Sequence, residues 1–271
     1  MSAAILFPGQ GSQAPGMREL VASEAPDLLE RCLALVGEDP FERVAESTRY
    51  AQPAIFCASI ANWRRLSREG DAPIATAGHS LGEISALTAA GAVAEEDALR
   101  LVVLRGRLMS EAVGGAMLAL LGVDDDRAVA LAEAHGVHVA NFNAPGQVVL
   151  SGRAIPLAAA GAEACAEGVR TLDLDVTGAF HSPSVLPAVG PFAEALRGTS
   201  WRAPAFPVIS CASAAPMTHP ARELAETLTA PVRWTATMRA LAALGADEFI
   251  DVGPGRILAK LARRTLETSN A

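Results

Sequence analysis

Lysine is almost missing from this chain: of 22 basic residues only Lys260 is a lysine, and the rest are arginine. Acidic residues outnumber both, leaving a formal charge of −8. That balance argues against general binding to nucleic acid or to anionic membranes, which needs a surplus of cations. Aromatics make up only 4% of the residues, with a single tyrosine, so Ala, Leu and Val must fill the core of a chain that is 51% hydrophobic. The four cysteines (Cys32, Cys57, Cys165, Cys211) form no C-x-x-C pair. Neither a zinc ribbon nor a dithiol redox motif is suggested, and reduced, mostly buried thiols are expected. No apolar run is long enough to span a bilayer. The first one, "AAILF", stops at Pro8-Gly9, too early for a signal peptide. A cytoplasmic protein is expected, monomeric by default.

What is present is an α/β pattern. The 271 residues suit one large domain or a core with an insert. Residues 3–7 read as a buried strand followed by the Gly/Pro-rich loop "FPGQGSQAPGM". Helical patterns cover 18–37, 52–66 (with Pro53 in the first turn) and 95–112. Between the last two, "IATAGHS" reads as a strand entering a turn and "GEISALTAAGAV" as a helix leaving it. From about 114 to 177 the order is β-α-β-β-α-β, the signature of a ferredoxin-like unit. More α/β elements follow. The expected architecture is a parallel-sheet core (1–113 and 178–271) split by a ferredoxin-like subdomain (114–177), with a ligand cleft between them.

The chemistry starts at Gly78-x-Ser80-x-Gly82. In a nucleophile elbow a serine sits on a sharp strand-to-helix turn, and glycines flank it because the backbone leaves no room for side chains. The next N–H, here that of Leu81, can stabilise an oxyanion. A simple turn with a hydroxyl capping the helix would give the same local pattern. A serine nucleophile also needs a base. Among five histidines, His79 adjoins the serine but should point away, His135 and His138 sit in a turn of the insert, and His219 lies in a loop. His181, in "VTGAFHSPSV", falls where the insert returns to the core, at the mouth of the cleft. No acid is well placed to orient it. Asp173 and Asp175 precede it too closely on one strand, so a backbone carbonyl could serve instead.

Several separated motifs together resemble one family. They are "FPGQGSQ" (7–13), "GHSLGE" (78–83), "LRGRLM" (104–109), "NFNAPGQVVLSG" (141–152), "GAFH" (178–181), "PVRW" (231–234) and "VGPG" (252–255). They resemble malonyl-CoA:acyl-carrier-protein transacylases, a family that includes the acyltransferase domains of fatty-acid and polyketide synthases. The resemblance runs through nearly the whole chain in order. It implies a hydrolase-like α/β core with a ferredoxin-like insert. It implies Ser80 as the acylated nucleophile, His181 as its base, and the N–H groups of Gln10 and Leu81 as the oxyanion hole. Arg105 would grip the free carboxylate of a malonyl group with two parallel hydrogen bonds. Read locally, Arg105 could equally be a helix salt bridge with Glu96 or Glu111. Gln52, Asn143 and Gln147 would line the cleft, and a carbonyl near Thr227 would support His181.

Phe180 resembles the malonyl-selective "HAFH" type, in which a bulky ring crowds an α-methyl group; Gly178 departs from that type's histidine. The implied substrate is malonyl-CoA and the implied partner a phosphopantetheinylated acyl carrier protein, with no metal or cofactor. A thioester hydrolase using the same Ser–His pair, and a non-catalytic docking protein, are the alternatives.

Overall fold

The computed structural model describes all residues except Met1, Glu69, Val113, Thr177, Asn270 and Ala271. Val113 and Thr177 adjoin the expected domain boundaries, which therefore fall on residues outside the described ones. The first sheet is built from β1 (Ala3–Phe7), β2 (Ala75–Gly78), β7 (Val208–Ile209) and β8 (Glu248–Asp251), all parallel, in the order β7-β2-β1-β8. Strand alternation sends the side chains of β1 to two cores. Ile5 and Phe7 face the larger one, packed by α3 (Thr48–Ser67), α4 (Gly82–Ala89) and α5 (Glu95–Ser110). Ala4 and Leu6 face a smaller one under the helices Trp234–Ala243 and Ile257–Ser269. A strand covered on both faces has to be apolar throughout, and "AAILF" is.

The second sheet is antiparallel, ordered β4-β5-β3-β6. It joins β3 (Gly115–Leu121), β4 (His138–Ala144), β5 (Gln147–Arg153) and β6 (Arg170–Asp173), with α6 (Asp125–His135) and α7 (Ala154–Ala166) at the crossovers. This is the ferredoxin-like order. Leu118, Leu120, Val148 and Leu150 pack with side chains of the two helices, while Met117, Ala119 and Val149 belong to the main core. The small sheet is thus glued to the parallel one instead of standing free. β4 reaches further: Phe142 N–H donates to the Val232 carbonyl and Val232 N–H to that of Ala140. The "PVRW" segment is thereby stitched to the insert.

Two helix expectations need correction. The pattern over 18–37 is broken into α1 (Met17–Glu24) and α2 (Pro26–Val36). Ala25 between them leaves helical geometry (φ −147°, ψ 56°), as a residue ahead of a proline tends to do. The next helix starts earlier than 52, at Thr48, where the Ser47 hydroxyl caps the Arg49 N–H. Pro53 therefore lies inside the helix, past its first turn. Among the described residues no helix is long and apolar enough to cross a membrane.

Candidate active site

The turn between β2 and α4 has the geometry the sequence suggests. Ser80 takes a left-handed φ of 53°, a strained state for a side-chain-bearing residue. The glycines around it are steric necessities. A Cβ on Gly78 would lie 1.9 Å from the Gly82 carbonyl carbon, and one on Gly82 1.9 Å from the Phe7 oxygen. The Gly/Pro loop after β1 comes equally close, since a Cβ on Gly9 would lie 2.6 Å from the His79 oxygen and 3.7 Å from the Leu81 nitrogen. Gln10 therefore sits beside the elbow. Among the described residues nothing accepts the N–H of Gln10 or Leu81.

His181 also has positive φ, 55°. Its ring is buried, with Nε2 2.8 Å from Ser80 Oγ. Nδ1 lies 3.0 Å from the Thr227 carbonyl and 2.9 Å from that of Ala230. Two carbonyls can only accept, so Nδ1 carries the proton and Nε2 offers its lone pair to the Ser80 hydroxyl. Burial, and then the charge of Arg105, push His181 down to about 3. The ring is therefore neutral near pH 7 and able to take a proton. The Thr227 carbonyl was expected from the resemblance; that of Ala230 was not. Asp173 and Asp175 are both exposed, away from the ring.

Arg105 comes from α5, which packs on α3. It is 4% exposed, and Nη2 donates to Ser80 Oγ (3.0 Å) while Nη1 donates to Gln52 Oε1 (2.8 Å). The Gln52 amide is oriented in turn by donating to Thr48 Oγ1 at 2.9 Å. The helix salt-bridge reading does not hold. Glu96 pairs with Arg100 and Arg31, and among the described residues no carboxylate pairs with Arg105. Burial lowers the guanidinium to about 10, and Glu83 partly offsets this. A buried cation without a contacting anion is costly, which leaves this site electrostatically suited to an anion.

The other expected cleft residues are less central. Asn143 Oδ1 lies 2.9 Å from His79 Nε2. The His79 ring leans on Trp234, with centroids 5.3 Å apart. This ties the elbow to the insert, and His79 does point away from Ser80. Gln147, half-buried at the start of β5, makes no hydrogen bond with Ser80, His181 or Arg105. Phe180 is buried beside His181. Its ring explains Gly178, because a Cβ there would lie 2.6 Å from Phe180 Cε1 and 2.9 Å from the Ala112 oxygen. A larger residue at 178 would require the Phe180 ring and the Ala112 carbonyl to shift. Sequence reasoning gave no role to Glu83, although it closes the "GHSLGE" motif; its side chain is fully buried.

A strained serine bonded to a neutral histidine, beside unpaired N–H groups, is the equipment for forming and breaking an acyl-serine ester. The chain belongs to the acyl transferase family, whose model, described as "Acyl transferase domain", matches residues 5–271. Within that family it is 40% identical to the malonyl CoA-acyl carrier protein transacylase of Bacillus subtilis, over 96% of this chain and 89% of that one. It is 38% identical to the polyketide biosynthesis protein ThaF of Burkholderia thailandensis over 97% of this chain, but spans only 24% of that longer protein. A solved structure described as a type II PKS acyl-carrier protein in complex with its malonyl-transacylase (PlMCAT:AntF, holo) superposes with a TM-score of 0.92. The identity is 35%, covering 99% of this chain and 94% of that one.

Proposed function

We propose that this enzyme moves a malonyl group from malonyl-CoA to the phosphopantetheine thiol of an acyl carrier protein, through a malonyl-serine intermediate. One observation carries the substrate class: Arg105, buried without a carboxylate partner, stands 3.0 Å from the nucleophilic oxygen. A guanidinium so placed selects an acyl group whose far end is an anion. The transacylase names of full-length relatives, and the carrier complex among the similar structures, support the same reading.

The malonyl carboxylate takes the two forward N–H groups of Arg105 and sets the thioester carbonyl over Ser80. Ser80 Oγ attacks the carbonyl carbon and gives its proton to His181 Nε2. The Thr227 and Ala230 carbonyls hold the imidazolium through Nδ1–H. The N–H groups of Gln10 and Leu81 receive the oxyanion, worth about 3–4 kcal/mol for one such donor. The C–S bond breaks, and the CoA sulfur leaves with the proton from His181. In the second half the carrier thiol gives a proton to His181 and its sulfur attacks the ester. Ser80 Oγ leaves and recovers that proton. No step calls for a metal or a redox cofactor. Phe180 beside the histidine favours malonyl over an α-methyl homologue.

Intact-mass spectrometry tests this. Incubation with malonyl-CoA should add one malonyl mass to Ser80, and holo-carrier protein should then remove it and gain the same mass. An adduct that decays to free malonate at one rate, with or without carrier, would mean that water is the acceptor and the protein a hydrolase.

A further inference from the structure

His79 has no part in the steps above, yet its contacts reach both members of the Ser80–His181 pair. Its backbone belongs to the elbow: the N–H donates to the Phe7 carbonyl (2.9 Å) and the carbonyl accepts from the Gly82 N–H (2.9 Å). Its side chain leaves the elbow. Nε2 lies 2.9 Å from Asn143 Oδ1, which can only accept, so the ring carries a proton at Nε2 and donates it to β4. The ring also packs on the indole of Trp234, which is fully buried. Both partners lead back to the base. Three hydrogen bonds join β4 to the segment that contains Trp234. Phe142 N–H donates to the Val232 carbonyl (2.8 Å), Val232 N–H to that of Ala140 (2.8 Å), and the Thr235 hydroxyl to that of Phe142 (3.3 Å). Two residues before Val232, the Ala230 carbonyl accepts from His181 Nδ1 at 2.9 Å. His181 Nε2 then returns to Ser80 Oγ at 2.8 Å. The ring of contacts is closed. The same segment has a second anchor, the Arg233 N–H on the Cys211 carbonyl (2.6 Å), so loss of the His79 bond should shift it without unfolding the chain.

We propose that His79 is a positioning residue: its Nε2–H bond to Asn143 sets the elbow in register with the segment that aims His181, and so keeps the base in line with Ser80. In a direct triad an acid touches the histidine and orients it. Here backbone carbonyls make that contact, and the segment bearing them has to be held against the nucleophile by a separate bond. The inference rests on the acyl-transfer reading above, in which the Ser80–His181 pair does the chemistry.

The test uses the full chain and two readouts: malonyl transfer from malonyl-CoA to holo-carrier protein, and the rate at which a fluorophosphonate modifies Ser80. The second reaction needs the Ser80–His181 pair but offers no carboxylate to Arg105. His79→Gln keeps an N–H at the Nε2 position and loses the ring. His79→Phe keeps a ring against Trp234 and loses the N–H. Melting curves establish that each variant is folded. His79→Phe should lower both kcat and the fluorophosphonate rate by roughly 10- to 100-fold, the scale of a small misplacement of reacting groups, with KM for malonyl-CoA within about threefold of wild type. His79→Gln should stay within about threefold of wild type on both readouts. Asn143→Ala should slow the fluorophosphonate reaction as His79→Phe does. The double variant His79→Phe/Asn143→Ala should be no more than about twofold slower than either, since both changes cut one bond. Four results would overturn the proposal: a folded His79→Phe with wild-type rates, a His79→Gln as slow as the phenylalanine variant, a loss confined to KM, or losses that multiply in the double variant. Should His79→Phe fail to fold, Asn143→Ala decides: a fluorophosphonate rate reduced about tenfold supports the bond's role, and an unchanged rate refutes it. A wild type that reacts with the fluorophosphonate but forms no malonyl adduct would sink the acyl-transfer reading instead, a separate outcome.

Discussion

Replacing Arg105 by alanine should divide substrates by charge. In the proposed mechanism the guanidinium makes two hydrogen bonds to the malonyl carboxylate inside a buried site. Each charge-assisted bond is worth about 1.5–3 kcal/mol, so a pair supplies roughly 3–6 kcal/mol. At 1.36 kcal/mol per tenfold, kcat/KM for malonyl-CoA should fall by about 10²- to 10⁴-fold. Acetyl-CoA has no carboxylate and loses none of this. It should even gain a little, because in the resting site Arg105 Nη2 holds Ser80 Oγ and its charge depresses His181. The truncation removes both restraints. Acetyl transfer should therefore stay within about threefold of wild type or rise, and the malonyl-to-acetyl ratio should collapse by nearly the whole malonyl loss. Quench-flow with mass detection of the Ser80 adduct measures both substrates on one scale. Arg105→Lys, which keeps the charge but not the planar fork, should fall between. Equal losses for the two substrates would refute the reasoning, since Arg105 would then serve the chemistry in general and not the carboxylate.

Acid should loosen the fold through His181. The unfolded chain binds a proton near pH 6.5, whereas the folded site refuses it until about pH 3. Stability contributed by the neutral ring is therefore complete above pH 6.5 and is lost as pH falls through that window, on the order of 5 kcal/mol in all. Urea melts from pH 7 to 4 should show this slope, and His181→Gln should flatten it. Gly82→Ala drives a Cβ to 1.9 Å from the Phe7 carbonyl oxygen of the central strand, so it should cost about 4 kcal/mol or more in a denaturation midpoint and abolish Ser80 acylation. Phe180→Val should raise the use of methylmalonyl-CoA relative to malonyl-CoA by about 10-fold in a competition assay, the scale of one buried methyl group.

Much of this was legible in the sequence because the relevant constraints are local or periodic. Gly78 and Gly82 reported a backbone crossing that only glycine survives. The β-α-β-β-α-β order of the insert followed from alternation and turn residues. His181 was picked out by its place where the insert rejoins the core. What stayed hidden depends on distant contacts. Nothing along α5 tells that Arg105 faces Ser80 and not Glu96; that needed the resemblance. The carbonyl of Ala230 is a backbone atom and leaves no trace in residue type. Glu83 drew no role from the sequence, and its burial shows only when residues 210–211 fold over it. The break at Ala25 was readable from Pro26, but the apolar period ran across it.

The strand order has a consequence for how the enzyme is made. β1 is Ala3–Phe7, yet one of its two neighbours, β8, is Glu248–Asp251, far later in the chain. During translation β1 and β2 can pair early, but the far edge of β1 stays open until β8 has been made. An unpaired apolar edge invites wrong partners, so the nascent protein is exposed there until β8 emerges. The acceptors for His181 Nδ1, at Thr227 and Ala230, are late arrivals as well. Ser80 is thus present long before its base can be aimed at it, since the Ser80–His181 pair is not held in line until residues 227–230 have folded into place.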